Sequence, residues 1–228
     1  MSQFENYEKL NKNAEKYGIF YRKLVEDNQK FNLTSVTEEK EAAFKHFIDS
    51  IYYCEKFNVG ASVVEIGSGA GFPSVPIAIE RPDLKMTLVE ANNKKCIFLN
   101  EVKNLLGLDN VTVICERAEV LAKDNNYREF FDYAIARAVA PMRTLLEYTV
   151  PFIKVGGHGV FWKGQSGEEE LSESGNALKV LGACFRQGKV YEYDLNEYGK
   201  RRLIVIDKIS STPPKYPRGQ GKERKCPL

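Results

Sequence analysis

The sequence predicts an α/β fold, a seven-stranded, mostly parallel Rossmann-like sheet preceded by a helical N-terminal segment. Three observations carry this. Up to about residue 58 apolar residues recur at helical spacing; from Ser62 short β-rich runs alternate with helical stretches; and the first run opens onto a glycine-rich turn. Alternation of this kind implies parallel strands with helices on both faces of the sheet.

In the N-terminal segment the apolar stripe is Tyr17, Phe20, Tyr21, Leu24 and Val25, then Phe44, Phe47, Ile48 and Ile51. Asn32-Leu33-Thr34-Ser35 interrupts it, and Thr37 is placed to cap the second helix. Strands follow near Ser62–Ile66, Lys85–Val89, Val111–Cys115, Tyr133–Ala136, Gly159–Lys163, Lys189–Tyr193 and Leu203–Lys208. Helices fall at Pro73–Glu80, Lys94–Leu106, Pro141–Phe152 and Glu168–Leu181. The last two strands leave no room for a helix between them, which predicts a closing hairpin with one antiparallel strand. The organisation is thus a helical segment (1–58), a main domain (59–210) and a basic C-terminal tail packing on or extending it (211–228).

Composition narrows the class. Five scattered cysteines without a Cys-x-x-Cys pair argue against a zinc site or a disulfide framework and fit a reducing cytoplasm. The first residues lack the basic-then-apolar pattern of a secretion signal, and no apolar run reaches membrane-spanning length. No metal site is expected. The net charge of +2 says little, but residues 211–228 hold five basic residues against one acid, so the tail carries +4 and the rest of the chain −2. Either a phosphate-binding arm or a solvated terminus accounts for that.

The most informative stretch is Val63-Val64-Glu65-Ile66-Gly67-Ser68-Gly69-Ala70-Gly71-Phe72-Pro73. Glycines at Gly67, Gly69 and Gly71 let the backbone turn sharply and let a ligand lie against it. Dinucleotide enzymes need G-x-G-x-x-G, and Phe72 stands where its last glycine belongs. G-x-G-x-G with Glu65 two residues ahead is the S-adenosylmethionine form. Glu90 ends the second strand 21 residues after Gly69, where a carboxylate can take two ribose hydroxyls. The Arg117-Ala118-Glu119 turn lies where adenine is held in this fold, its backbone N–H groups facing the ring.

On the segments Phe31-Asn32-Leu33-Thr34, Lys45-His46-Phe47-Ile48-Asp49-Ser50, the Gly loop, Lys94-Lys95, Arg117-Ala118-Glu119, Ala136-Arg137-Ala138-Val139-Ala140, Lys163-Gly164 and Lys215-Tyr216-Pro217-Arg218, the chain resembles the bacterial 16S rRNA guanine-N7 methyltransferases of the RsmG/GidB family. The resemblance runs over roughly residues 30–228. It implies transfer of a methyl group from S-adenosyl-L-methionine to N7 of guanine 527, in the 530 loop, leaving S-adenosyl-L-homocysteine. It implies cofactor contacts at Gly67, Phe72, Ala118, Glu119 and Arg137, beside Gly69, Gly71 and Glu90 from the motif. The partner is 16S rRNA or a small-subunit precursor, and the protein a cytoplasmic monomer. A related enzyme acting on a small molecule or on another RNA site is the alternative. The chain departs from the family at Ser74, often glycine, and at Glu90, often aspartate; neither removes a needed group.

Guanine N7 carries a free lone pair, so the reaction needs no general base, and none is evident. An Asn/Asp-Pro-Pro-Tyr/Phe grip for an exocyclic amine is missing where Ala136-Arg137-Ala138-Val139 stands. Arg137 suits the cofactor carboxylate, the target base, or an ion pair with an acid. His46 and Asp49, one turn apart, face the cofactor or merely bond on the helix surface. RNA contacts are expected from Arg137, Lys163, Lys215, Arg218, Lys222, Arg224 and Lys225.

Overall fold

A computed structural model describes residues 3–228; positions 1 and 2 of the helical segment lie outside the described residues. Eight strands form one sheet: β1 (Ser62–Ile66), β2 (Lys85–Glu90), β3 (Val111–Cys115), β4 (Phe131–Arg137), β5 (Ile153–Lys163), β6 (Ala183–Cys184), β7 (Val190–Asp194) and β8 (Lys200–Lys208). Their order is β3-β2-β1-β4-β5-β8-β6, with β7 also paired to β8. The first five are parallel and β8 runs antiparallel to β5. β7 and β8 make the closing hairpin, with β7 and β6 sharing β8 as partner. The two-residue β6 is the strand the sequence pattern did not predict; it is too short to show a period.

The helices are α1 (Ala14–Phe31), α2 (Glu39–Ala42), α3 (Asp49–Ile51), α4 (Ser74–Glu80), α5 (Asn93–Leu106), α6 (Ala118–Leu121), α7 (Met142–Thr149), α8 (Gly167–Ser172), α9 (Gly175–Leu181) and α10 (Lys222–Lys225). A wide π turn, Ala43–Ile48, joins α2 to α3. The cap of α2 is Glu38, whose carboxylate accepts from Lys40 N and Glu41 N, in place of Thr37. The stretch expected as one helix from Glu168 to Leu181 is two, because the chain breaks before Gly175. β5 begins at Ile153, before the three-glycine run that hid it from the strand pattern.

The N-terminal helices belong to the core. Tyr17, Phe20, Leu24 and Phe47 share one buried cluster with Val63, Met86 and Leu88 of β1 and β2. Phe20 stacks on Phe72 of the Gly loop with ring centroids 5.0 Å apart. Burying several aromatic side chains contributes about 1.5–3 kcal/mol each, so the segment clamps the loop from one side. Strand order reverses between β1 and β4, and the crevice at the carboxyl ends of these strands is where ligands bind in open α/β sheets. Among the described residues no helix is long and apolar enough to cross a membrane.

Candidate functional site

The loop after β1 is shaped by its glycines. Gly67 has φ +72°, and a Cβ there would lie 2.9 Å from Val139 Cγ2, so the chain after β4 passes directly over it. Gly69 has φ +56°, and a Cβ there would meet only Gly67 O, at 3.8 Å. Its backbone N–H donates to Glu90 Oε2 at 2.9 Å, and Asn92 N–H donates to Glu90 Oε1 at 2.8 Å. The Glu90 carboxylate therefore ties the loop to the end of β2 and keeps lone pairs for further donors. Glu65 is fully buried, and neither of its oxygens has a hydrogen-bond partner. Burial pushes its carboxyl up to about 7, against the opposing pull of the Ser74 and Ser68 hydroxyls and Arg137. A buried carboxylate without partners beneath a ligand-accepting loop suits a cationic ligand above it.

Two clefts flank the loop. One, of about 250 Å³, is lined by Gly67, Glu90, Ala118, Glu119, Tyr148 and Arg224. Ala118 and Glu119 open α6, and the first N–H groups of a helix have no intrahelical acceptor, so they are free to bond a ligand. The Glu119 side chain is buried and accepts from Arg117 Nε at 2.6 Å. The other cleft, of about 220 Å³, is lined by Thr34, His46, Gly69, Phe72, Lys95 and Arg137. Together they offer a carboxylate for ribose, amides for a base and a cation at the far end, a fit for S-adenosylmethionine.

Arg137 stands at the end of β4 with three of its five guanidinium N–H groups engaged. Nη1 donates to Lys45 O and to Asp49 Oδ2, both at 2.8 Å, and Nη2 donates to His46 Nδ1 at 3.3 Å. The guanidinium also lies 5.3 Å from the centre of the Phe72 ring, on which His46 stacks at 4.4 Å. A guanidinium only donates, so His46 Nδ1 accepts and Nε2 carries the proton, donating to Thr34 Oγ1 at 2.8 Å. Burial, then the adjacent Arg137 charge, pushes His46 down to about 3. Asp49, 3% exposed, also accepts from Tyr193 O–H at 2.6 Å, and its backbone oxygen accepts from Trp162 Nε1. Of the readings open for Arg137, the ion pair with an acid is present. His46 and Asp49 gather around Arg137, and each of Asp49's oxygens accepts one bond.

A third hollow, of about 550 Å³, opens on the far side of Arg137-Ala138-Val139, with Lys45, His46, Trp162, Lys163 and Arg201 in its walls. Ala138, at φ +56°, turns the chain so that this segment divides the hollow from the clefts. Lys163 is held there, donating to Ala140 O at 2.9 Å and Glu170 Oε2 at 2.7 Å. Among the tail cations, Arg218 makes a forked pair with Glu147, through Nε at 2.9 Å and Nη2 at 2.7 Å. Lys215, Lys222, Arg224 and Lys225 are exposed.

Sequence reasoning did not single out Thr34, Lys95, Tyr148, Trp162 or Arg201 as cleft residues. Lys95 and Thr34 sat in family-like segments; nothing local marked the others. Among the described residues no group of three or more His, Cys, Asp or Glu could hold a metal ion.

Residues 13–193 match the family model GidB, rRNA small subunit methyltransferase G. Ribosomal RNA small subunit methyltransferase G of Brevibacillus brevis is 45% identical over 216 residues, covering 94% of this chain and 90% of that protein. The enzyme of the same name from Clostridium beijerinckii is 43% identical over 228 residues, covering 98% and 91%. Among solved structures, M. jannaschii TYW2 in complex with AdoMet superposes with a TM-score of 0.53 at 18% identity, covering 71% of this chain and 77% of that one. An rRNA methylase from Streptococcus thermophilus gives 0.51 at 18%, covering 72% and 95%. At these identities the structural matches establish the fold alone.

Proposed function

Because the chain belongs to the rRNA small subunit methyltransferase G family, we propose that it transfers the methyl group of S-adenosyl-L-methionine to N7 of a guanine in 16S rRNA, guanine 527 of the 530 loop, in the cytoplasm. The observation that carries this is the meeting of the two clefts and the larger hollow at Arg137-Ala138-Val139. A donor in the clefts and a base in the hollow would be separated by one short segment, which suits in-line transfer.

Each group has a task on this reading. Glu90 accepts the ribose hydroxyls. The N–H groups of Ala118 and Glu119 hold the adenine. Gly67, Gly69 and Phe72 let the ligand lie flat on the loop, and Gly71, where a Cβ would meet Val75 and Leu99, lets the loop pack onto α4 and α5. Glu65 supplies negative charge under a cationic ligand. Arg137 has N–H groups left for the ligand's carboxylate or for the base. The bound cofactor supplies an electrophilic methyl group, and the protein's contribution is placement. The acids and the imidazole of the hollow are already engaged: the lone pair of His46 faces Arg137, Asp49 is ion-paired to Arg137 and bonded by Tyr193, and Glu170 is ion-paired to Lys163. N7 needs no proton removed. N7 faces the deep groove of an RNA helix, so the guanine must be splayed from a loop to reach the hollow.

The test uses labelled S-adenosylmethionine and total RNA from a strain lacking the enzyme, followed by mapping of the modified base. Label at a 16S guanine, with strand scission by aniline after reduction, is the expected result. Label in a small molecule, or RNA resisting that scission, refutes the assignment.

A further inference from the structure

The C-terminal helix is built so that its acid is inside and its cations outside. In Lys222-Glu223-Arg224-Lys225, Glu223 is fully buried while the other three are exposed. Glu223 accepts from Gly219 N, and its backbone oxygen accepts from Thr144 Oγ1 of α7 at 2.8 Å. The forked Arg218–Glu147 pair and the bonds from Arg143 to the carbonyls of Pro227 and Leu228 fix the segment on both sides of α10. The tail is therefore a docked element. Lys123 faces it across a neighbouring hollow of about 460 Å³ and has no carboxylate partner among the described residues.

This helix borders the cleft assigned to the cofactor. Arg224 lines the same cleft as Glu90, Ala118 and Glu119, beside Tyr148. Ala138 and Val139 line that cleft at its other side and also line the hollow assigned to the target base. A strand anchored by phosphates on α10 with a base in that hollow has to run across the mouth of the cleft. Four cations without carboxylate partners, Lys123, Lys222, Arg224 and Lys225, suit a polyanionic backbone, which they bind by releasing its counterions.

We propose that rRNA lying on α10 closes the cofactor cleft, so that the cofactor enters before the RNA and leaves only after the RNA has gone. The inference rests on the rRNA methyltransferase reading above. It adds a function for the tail beyond affinity: an RNA-gated exit, in which the substrate itself acts as the lid that excludes water and commits the donor.

The experiment measures release of labelled S-adenosylhomocysteine from the whole protein by rapid dilution, with and without 16S rRNA, in the wild type and in a Lys222→Ala/Arg224→Ala/Lys225→Ala variant. Saturating RNA should slow release from the wild type by about tenfold or more, and the variant should release at one rate whether or not RNA is bound. RNA concentrations are raised until binding to the variant is also saturated, so weaker affinity cannot imitate the result. If the wild type methylates 16S rRNA but its release rate ignores RNA, gating is wrong and the function stands. If RNA slows both proteins equally, closure does not run through α10 and the proposal falls. If the wild type transfers no methyl group to 16S rRNA, the functional reading fails and this inference with it.

Discussion

Two arginines at the carboxyl ends of the strands show how differently one residue type is used. Arg137 is 15% exposed and reaches a carboxylate, a carbonyl and an imidazole; Arg224 is exposed and has no carboxylate partner. The first is a fixed charge whose position is set by Asp49, itself held by Tyr193 and the Trp162 main-chain bond. The second is a free charge on a fixed helix. Removing a partner from Arg137 strands a largely buried cation, whereas Arg224 has no carboxylate to strand. Buried charge gives geometry, and exposed charge gives attraction at a distance that salt weakens.

Asp49→Ala breaks the comparison most severely. It leaves the Arg137 guanidinium without its counter-charge and the Tyr193 hydroxyl without its acceptor. Loss of about 3–5 kcal/mol is expected from breaking a buried pair on one side. Urea unfolding of the variant against wild type measures it; a loss below about 1 kcal/mol would place the pair among weak surface contacts instead.

The tail gives the opposite signature. Lys222→Ala/Arg224→Ala/Lys225→Ala should change unfolding free energy by no more than about 0.5 kcal/mol. Its effect belongs in RNA binding, where the slope of log affinity against log salt should flatten by up to about 0.7–0.9 for each phosphate that is no longer neutralised. Titrations at several salt concentrations read this directly, and an unchanged slope makes α10 electrostatically idle. Because Arg224 lines the cleft, the Lys222→Ala/Lys225→Ala pair is the cleaner variant for cofactor affinity.

The parts that could be read from sequence were those whose cause is local. The Gly loop, Glu90 and the first three strands follow from dihedral freedom, a fixed spacing and apolar runs, and the structure places them within a residue or two of the expected bounds. The environment of Arg137 could not be read so. Its partners Lys45, His46 and Asp49 lie about 90 residues away in the chain, and the π turn that brings them round has no composition of its own. The tail was legible only in outline. A count of charges leaves a phosphate-binding arm and a solvated terminus equally open for residues 211–228, and it does not show that Glu223, Arg218 and Glu147, through bonds across some 70 residues, seat the tail on α7.

The smallest expected effect is that of pH on methyl transfer, and it sharpens the comparison by separating charge from proton transfer. At saturating cofactor and RNA, the single-turnover rate should be nearly flat from mildly acidic to mildly basic pH, since nothing that titrates there must take a proton from N7. His46, pushed down to about 3, is neutral throughout. Its contribution to stability is full above its ordinary value of 6.5 and is lost as pH falls toward 3, so acid should unfold the protein before it alters the chemistry. Glu65 behaves in the opposite sense. Raised from 4.5 to about 7, its contribution to stability is full below 4.5 and is lost as pH rises through 7. It lies under the cofactor loop, so its ionisation beneath a cationic ligand should strengthen cofactor binding as pH rises toward about 7 and leave it level above, by no more than about tenfold per unit for one linked proton. Affinity and rate therefore separate: calorimetric titration of the cofactor should show a pH-dependent Kd while the saturated rate stays level. A saturated rate that climbs tenfold per pH unit to a plateau would reveal a required base, and the roles assigned to the groups around Arg137 would have to change.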